Sequence, residues 1–220
     1  IFKNTGGTTD PALHHEVELK GSQLRQGTQM NIDMFLMDAL VDGGRYSISI
    51  QGWDKAGNFS EKKVIRNILF DVLPPNLSIY EPLTGSAFKE PILSFGMNEK
   101  LAEGILTFNQ TKGKEDINSP HEVLILPPFN DQGRHDGISL ANDVTLKDGS
   151  VYEITFNARD PAGNVSQPVS VSNILYDVTA PEIEITAPQA SSYLREMNVQ
   201  YIFDEQLVMG QINIMQTLGT

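Results

Sequence analysis

Two acidic loops carry the residues best suited to chemistry in this chain. Asp54-Lys-Ala-Gly-Asn58 and Asp160-Pro-Ala-Gly-Asn164 share one pattern, and each is followed at the same distance by another aspartate, Asp71 and Asp177. Carboxylates, Asn amides and turn carbonyls are hard oxygen donors, the kind of ligand calcium collects. Asp54, Asp71, Asp160 and Asp177 are therefore candidate calcium ligands, with Glu99 and Glu205 as helpers. The same residues also serve a plain turn: Asp caps it, Gly takes a positive φ and Asn tolerates the left-handed region. No EF-hand or nonapeptide calcium motif is present.

Other reactive constellations are thinner. His15-Glu16 and His121-Glu122 recur, with Asp10 and Asp116 shortly before each His. Such a set could hold zinc, but a single His beside a strand reads as a solvated edge residue, and no HExxH motif occurs. There is no GxSxG and no glycine-rich phosphate loop. The chain has no cysteine, which excludes disulfides, thiolate metal sites and cysteine nucleophiles. Paired carboxylates meeting across strands could act as in a glycosidase, but a duplicated segment argues for structure over catalysis. The chain reads as a non-enzyme. Trp53, the lone tryptophan, points by alternation away from the face of Tyr46, Ile48 and Ile50, where it packs on a loop or stacks on a sugar or partner. Asn58-Phe-Ser60 and Asn164-Val-Ser166 fit the glycosylation sequon, although the turn already accounts for each Asn.

Composition narrows the partners. The net charge is −12 and the pI about 4.7, so the surface repels phosphate backbones and nucleic acid is not an expected partner. Lys112-Gly-Lys114 is too small a basic spot to change that. No apolar run is long enough for a membrane helix, and Ile1-Phe2-Lys3-Asn4 does not read as a signal peptide.

The elements that must position these residues come in two copies. Residues 1–114 set against 107–220, without gaps, give 36 identities in 114 pairs. Matches include Asp10/Asp116, His15/His121, Asp42/Asp148, Tyr46/Tyr152, Asn67/Asn173, Pro75/Pro181 and Glu99/Glu205. A period of about 106 residues is too long for a solenoid repeat and suits one β-sandwich. Within the middle copy, strands are predicted at 76–80, 91–97, 103–110, 121–126, 138–146, 152–158 and 169–177, with a loop over 127–137. Tyr152, Ile154, Phe156 and Ala158 alternate onto one face.

The stretch LKDGSVYEITFNARDPAGNVSQP resembles the late strands of a fibronectin type III domain. Leu40/Tyr46 and Leu146/Tyr152, each six apart with a Gly turn between, resemble its tyrosine corner. NILYDVTAPEIEITAP resembles the junction between modules in bacterial immunoglobulin-like arrays. The resemblance implies an all-β fold of tandem Ig-like (fibronectin III-like) sandwiches. Residues 1–74 are then the back of one repeat, 75–180 a whole one and 181–220 the front of another; 181–220 completes 1–74 within one chain or by strand exchange between chains. It also implies calcium at junctions, neighbouring repeats as partners, and a rod or adhesin stalk in a bacterial extracellular, cell-surface or periplasmic setting, with a protein or glycan ligand left open. An extracytoplasmic sensing region and an accessory carbohydrate-binding module are the alternatives.

Overall fold

Alternation of apolar residues at a period of two fixes the architecture, because each strand must turn one face inward. The computed structural model describes residues 8–12, 15–32 and 40–217; Ile1–Asn4, read above for a leader, lie outside them. The strands are β1 (Arg45–Ile50), β2 (Lys63–Leu69), β3 (Leu77–Glu81), β4 (Ala87–Phe88), β5 (Ile92–Met97), β6 (Glu103–Gly113), β7 (His121–Leu124), β8 (Gly133–Ser139), β9 (Ser150–Arg159), β10 (Val169–Tyr176), β11 (Ile183–Ala187) and β12 (Gln200–Phe203). One short 3-10 turn, Gly21–Leu24, is the sole helical element among the described residues. None of the described residues forms a helix long and apolar enough to cross a membrane.

Eight strands build one core. A three-stranded sheet, β3-β5-β8, faces a five-stranded sheet, β4-β10-β9-β6-β7. Apart from Pro75, every buried apolar side chain among those described lies between Leu77 and Ile174. Leu93, Phe95 and Met97 of β5 meet Leu106 and Phe108 of β6, Tyr152, Ile154 and Phe156 of β9, and Ile174 of β10. Phe95 and Phe156 pack edge to face at 5.4 Å. Fully burying one such side chain is worth about 1.5–3 kcal/mol. The flanking hairpins β1-β2 and β11-β12 form two-stranded sheets of their own.

The 127–137 loop is a correction. Gly133–Ser139 is a strand, β8, paired antiparallel with β5, whereas 140–146 runs as turn and coil. Two glycines at positive φ, Gly133 and Gly137, and the charged run between them hide its strand character. A register slip opposite Leu93 and Phe95 then accommodates the irregular backbone. β4, two residues paired in parallel with β10, carries no sequence signal at all.

At the ends of β2 and β10, positions matched in the self-alignment share an irregular geometry. On β2 and on β10 the ladder slips at the same place, between Ile65 and Ile68 and between Val171 and Ile174, one extra residue on each strand. Asn67 (φ 65°) and Asn173 (φ 56°) sit in those bulges, where Asn accepts the left-handed region at low cost. Gly113 shows why one turn needs glycine: a Cβ there would lie 2.2 Å from the Gly149 carbonyl.

Candidate acidic junction and the tyrosine anchor

Asp160 begins the turn after β9, and the turn is built on its carboxylate. Its Oδ1 accepts from Gly163 N at 2.7 Å and Asn164 N at 2.9 Å, and Oδ2 accepts from Asn164 Nδ2 at 2.8 Å. Gly163 takes φ 98° to close the loop. Asn164 then reaches out of the sandwich: its Nδ2 also lies 3.2 Å from the Asp71 carbonyl and 3.4 Å from that of Leu73. Those carbonyls belong to the segment after β2, held by Asp42, whose Oδ1 accepts from Val72 N at 2.8 Å. The bend after β5 supplies Glu99 from a third direction.

Asp71, Glu99 and Asp160 thus converge, with one carboxylate oxygen from each within 4.8 Å of the others. Among the described residues this is the one group of three or more His, Cys, Asp or Glu placed close enough to share an ion. Burial, then the charges of Asp160 and Asp42, push the Asp71 carboxyl above the usual range. Burial, then Asp71, Asp160 and Asp42, do the same to Glu99. Three carboxylates with main-chain carbonyls beside them make an all-oxygen donor set with no imidazole or thiolate, which fits a hard cation such as calcium and not zinc.

Of the four predicted aspartates, two meet here and two do not. Asp177 and Glu205 are the counterparts of Asp71 and Glu99 in the self-alignment. Glu205 is pushed up in the same sense as Glu99, by desolvation and then by the charges of Asp177, Asp204 and Asp148. Asp54 holds its own turn in the manner of Asp160, with Asn58 N and Nδ2 at 2.9 and 2.8 Å, and is exposed.

Protons and cations compete for such a cluster. A carboxyl raised in the folded state stabilises fully below its unfolded value near 4, and that contribution is lost as pH rises through the raised value. The cluster should therefore lose its contribution to stability as pH climbs from about 4 through the raised values. Asp71→Asn combined with Glu99→Gln should flatten this limb in a pH series of thermal melts; an unchanged slope would show that the carboxyls do not oppose one another.

The second constellation corrects the reading of the histidines as solvated. Only 15% of the His121 side chain is exposed, and its Nε2 lies 2.7 Å from Asp116 Oδ2. Tyr152 donates its OH to that same oxygen at 2.6 Å and accepts from Lys147 N at 2.8 Å, the corner its spacing from Leu146 predicts. His15, Asp10, Tyr46 and Val41 repeat the arrangement at 2.7, 2.8 and 2.7 Å. Burial raises Asp116, but hydrogen bonds from His121, Tyr152 and Asn118 N outweigh it and hold the carboxyl below its usual range. Burial and the Asp116 bond push the Tyr152 hydroxyl up to about 12. Glu122 stays exposed, so no third ligand completes a zinc set around His121 among the described residues. The recurrence of Asp, His and Tyr at one offset was the signal that could have identified this anchor.

Trp53 remains 73% exposed, tilted against exposed Phe59 at 5.9 Å. The Asn164 amide is committed to Asp160 and Asp71, and Ser166 is buried with its Oγ accepting from Ala158 N. That sequon therefore serves the turn. No family model matches the chain, and no curated protein matches it significantly.

Proposed function

We propose that the chain is a run of tandem Ig-like (fibronectin III-like) modules, divided at 1–74, 75–180 and 181–220, acting as a non-catalytic rod or spacer in a bacterial cell-surface or secreted protein. A divalent cation, calcium by its donor set, stiffens the junction between successive modules. The observation that carries this reading is the meeting of Asp71, from the end of one sequence copy, with Glu99 and Asp160 of the next. An ion there ties the two together, and Asn164 already bridges them by hydrogen bonds. The bulges, corners and turns that recur at equivalent positions of the two copies support a repeated module. The charge of Asp177 acting on Glu205, the counterparts of Asp71 and Glu99, supports a repeated junction. Extracellular, surface or periplasmic placement goes with this reading.

One feature favours the accessory carbohydrate-binding alternative, the exposed Trp53–Phe59 pair. Its counterparts, Arg159 and Val165, offer no aromatic ring, so the pair does not belong to the repeating unit.

The test is a thermal melt after chelator treatment, with and without millimolar calcium. A ligand present at about 100 times its Kd stabilises the state that binds it by about 2.7 kcal/mol. A rise of several degrees is expected, and Asp71→Asn with Glu99→Gln should abolish it. Asp160 is left intact because both its oxygens hold the turn. Equal melting with and without calcium would remove the cation from the account.

A further inference from the structure

We infer that Asp42 and Asp148 are latches that tie each linker back to the module it leaves, so that the chain is stiff at these points before any cation binds. The inference takes its module boundaries from the proposed function and needs no metal ion.

The linkers 71–76 and 177–182 follow the last strands of their copies, β2 and β10, and form no strand or helix. A segment without a ladder is ordinarily the mobile part of a chain. Here each is gripped from the side. Asp148 lies in the turn before β9. Its Oδ1 accepts from Val178 N at 2.9 Å, and its Oδ2 accepts from the Thr179 hydroxyl at 3.0 Å. Lys114, just past β6, places its Nζ 3.3 Å from the same Oδ2 and ties the carboxylate to the sandwich. Gly149 N donates to the Tyr176 carbonyl at 2.9 Å, which fastens the turn to the last residue of β10. The bonds from Val178 N and the Thr179 hydroxyl hold the Asp148 carboxyl below its usual range.

The first copy repeats the device. Asp42 Oδ1 accepts from Val72 N at 2.8 Å and from Leu73 N at 3.3 Å, and Gly43 N donates to the Phe70 carbonyl at 2.8 Å. Asp42/Asp148, Gly43/Gly149, Phe70/Tyr176 and Val72/Val178 are matched pairs of the self-alignment. The next position differs, Leu73 against Thr179, and the grip persists: the carboxylate takes the Leu73 amide in one copy and the Thr179 hydroxyl in the other. What recurs is the carboxylate and the valine amide it holds. At the first linker the latch leads into the next module. The carbonyls of Asp71 and Leu73, on either side of the latched Val72, are the ones that Asn164 reaches. Residues 71–73 are thus held from both directions.

Backbone amide order parameters from NMR relaxation, measured on the whole chain with chelator present, read the latches directly. Val72, Leu73, Val178 and Thr179 should lie near about 0.85, as in rigid backbone, where a flexible segment falls below about 0.6. Asp148→Ala should drop Val178 and Thr179 below about 0.6 and leave Val72 unchanged. Asp42→Ala should do the reverse. Asp148→Asn keeps an oxygen that accepts from Val178 N and should keep that amide rigid. The Ile154 and Phe156 amides of β9 report that the sandwich stays folded in each variant. Linker amides already below about 0.6 in the unaltered chain, or still near about 0.85 in Asp148→Ala, would overturn the inference. Neither result touches the calcium melt, and a cation that fails to bind leaves these order parameters where they are.

Discussion

Phe156→Ala should destabilise the sandwich between Leu77 and Tyr176 by about 3–5 kcal/mol, the range for removing a buried aromatic ring and leaving a cavity. Phe156 has no exposed surface, and it packs on Phe95 where the two sheets meet. The cost is near the upper end for single substitutions because strands on both sides hold the site open. For a domain of about 100 residues each kcal/mol moves Tm by about 4–8 °C, so a drop of about 12 °C or more is expected. Urea unfolding should show a lower midpoint with the same slope. Ile50→Ala at the corresponding position is the control: Ile50 is 55% exposed, and in dilute solution its loss should stay within about 0.5 kcal/mol. Equal effects at the two positions would mean that the core is not confined to the middle sandwich.

Tyr152→Phe should cost about 2–3 kcal/mol although the ring and its packing survive. The hydroxyl accepts from Lys147 N and donates to Asp116, both in a buried setting. Its removal leaves an amide without an acceptor and weakens the support of a carboxylate; neutral and charged bonds of this kind contribute about 1 and about 1.5–3 kcal/mol. The pH dependence separates this from a packing effect. Asp116 is held below the ordinary carboxylate range, so its stabilisation is full above the unfolded value near 4 and is lost as pH falls through the depressed one. Without the tyrosine hydroxyl the carboxyl loses one of the bonds that depress it, and acid unfolding should begin at higher pH. Tyr46→Phe removes the same two bonds from a half-buried copy and should cost less. An acid limb that does not move in Tyr152→Phe would contradict the role given to the network.

Much of this was legible in residues with strong local preferences. Tyr152, Ile154, Phe156 and Ala158 alternate without interruption, and β9 buries all four. The Asp-Pro-Ala-Gly-Asn segment read as a turn, and it is one. β8 was not legible, because the β5 ladder makes a strand out of a glycine-rich charged sequence that alone prefers a loop; tertiary pairing overrides propensity there. The acidic junction was half legible. Asp71, Glu99 and Asp160 all stand out in the sequence, but likeness of sequence places them in one group with Asp54, Asp177 and Glu205. The carboxylate cluster is assembled from different sequence copies, so like residues fall in different places and unlike ones meet. Histidine beside a strand carried no hint of burial, since its partner Asp116 comes from the β6–β7 connection and Tyr152 from β9.

The measurement that bears most directly on the proposed junction is a calorimetric calcium titration of the chelator-treated chain at mildly acidic pH, in two buffers of different ionisation enthalpy. One dominant site per chain is expected, with proton release as the ion displaces protons from the raised Asp71 and Glu99 carboxyls, and both should vanish in Asp71→Asn with Glu99→Gln. Absence of binding, or binding that survives both substitutions unchanged, would contradict the assignment of Asp71, Glu99 and Asp160 as a cation clamp between modules.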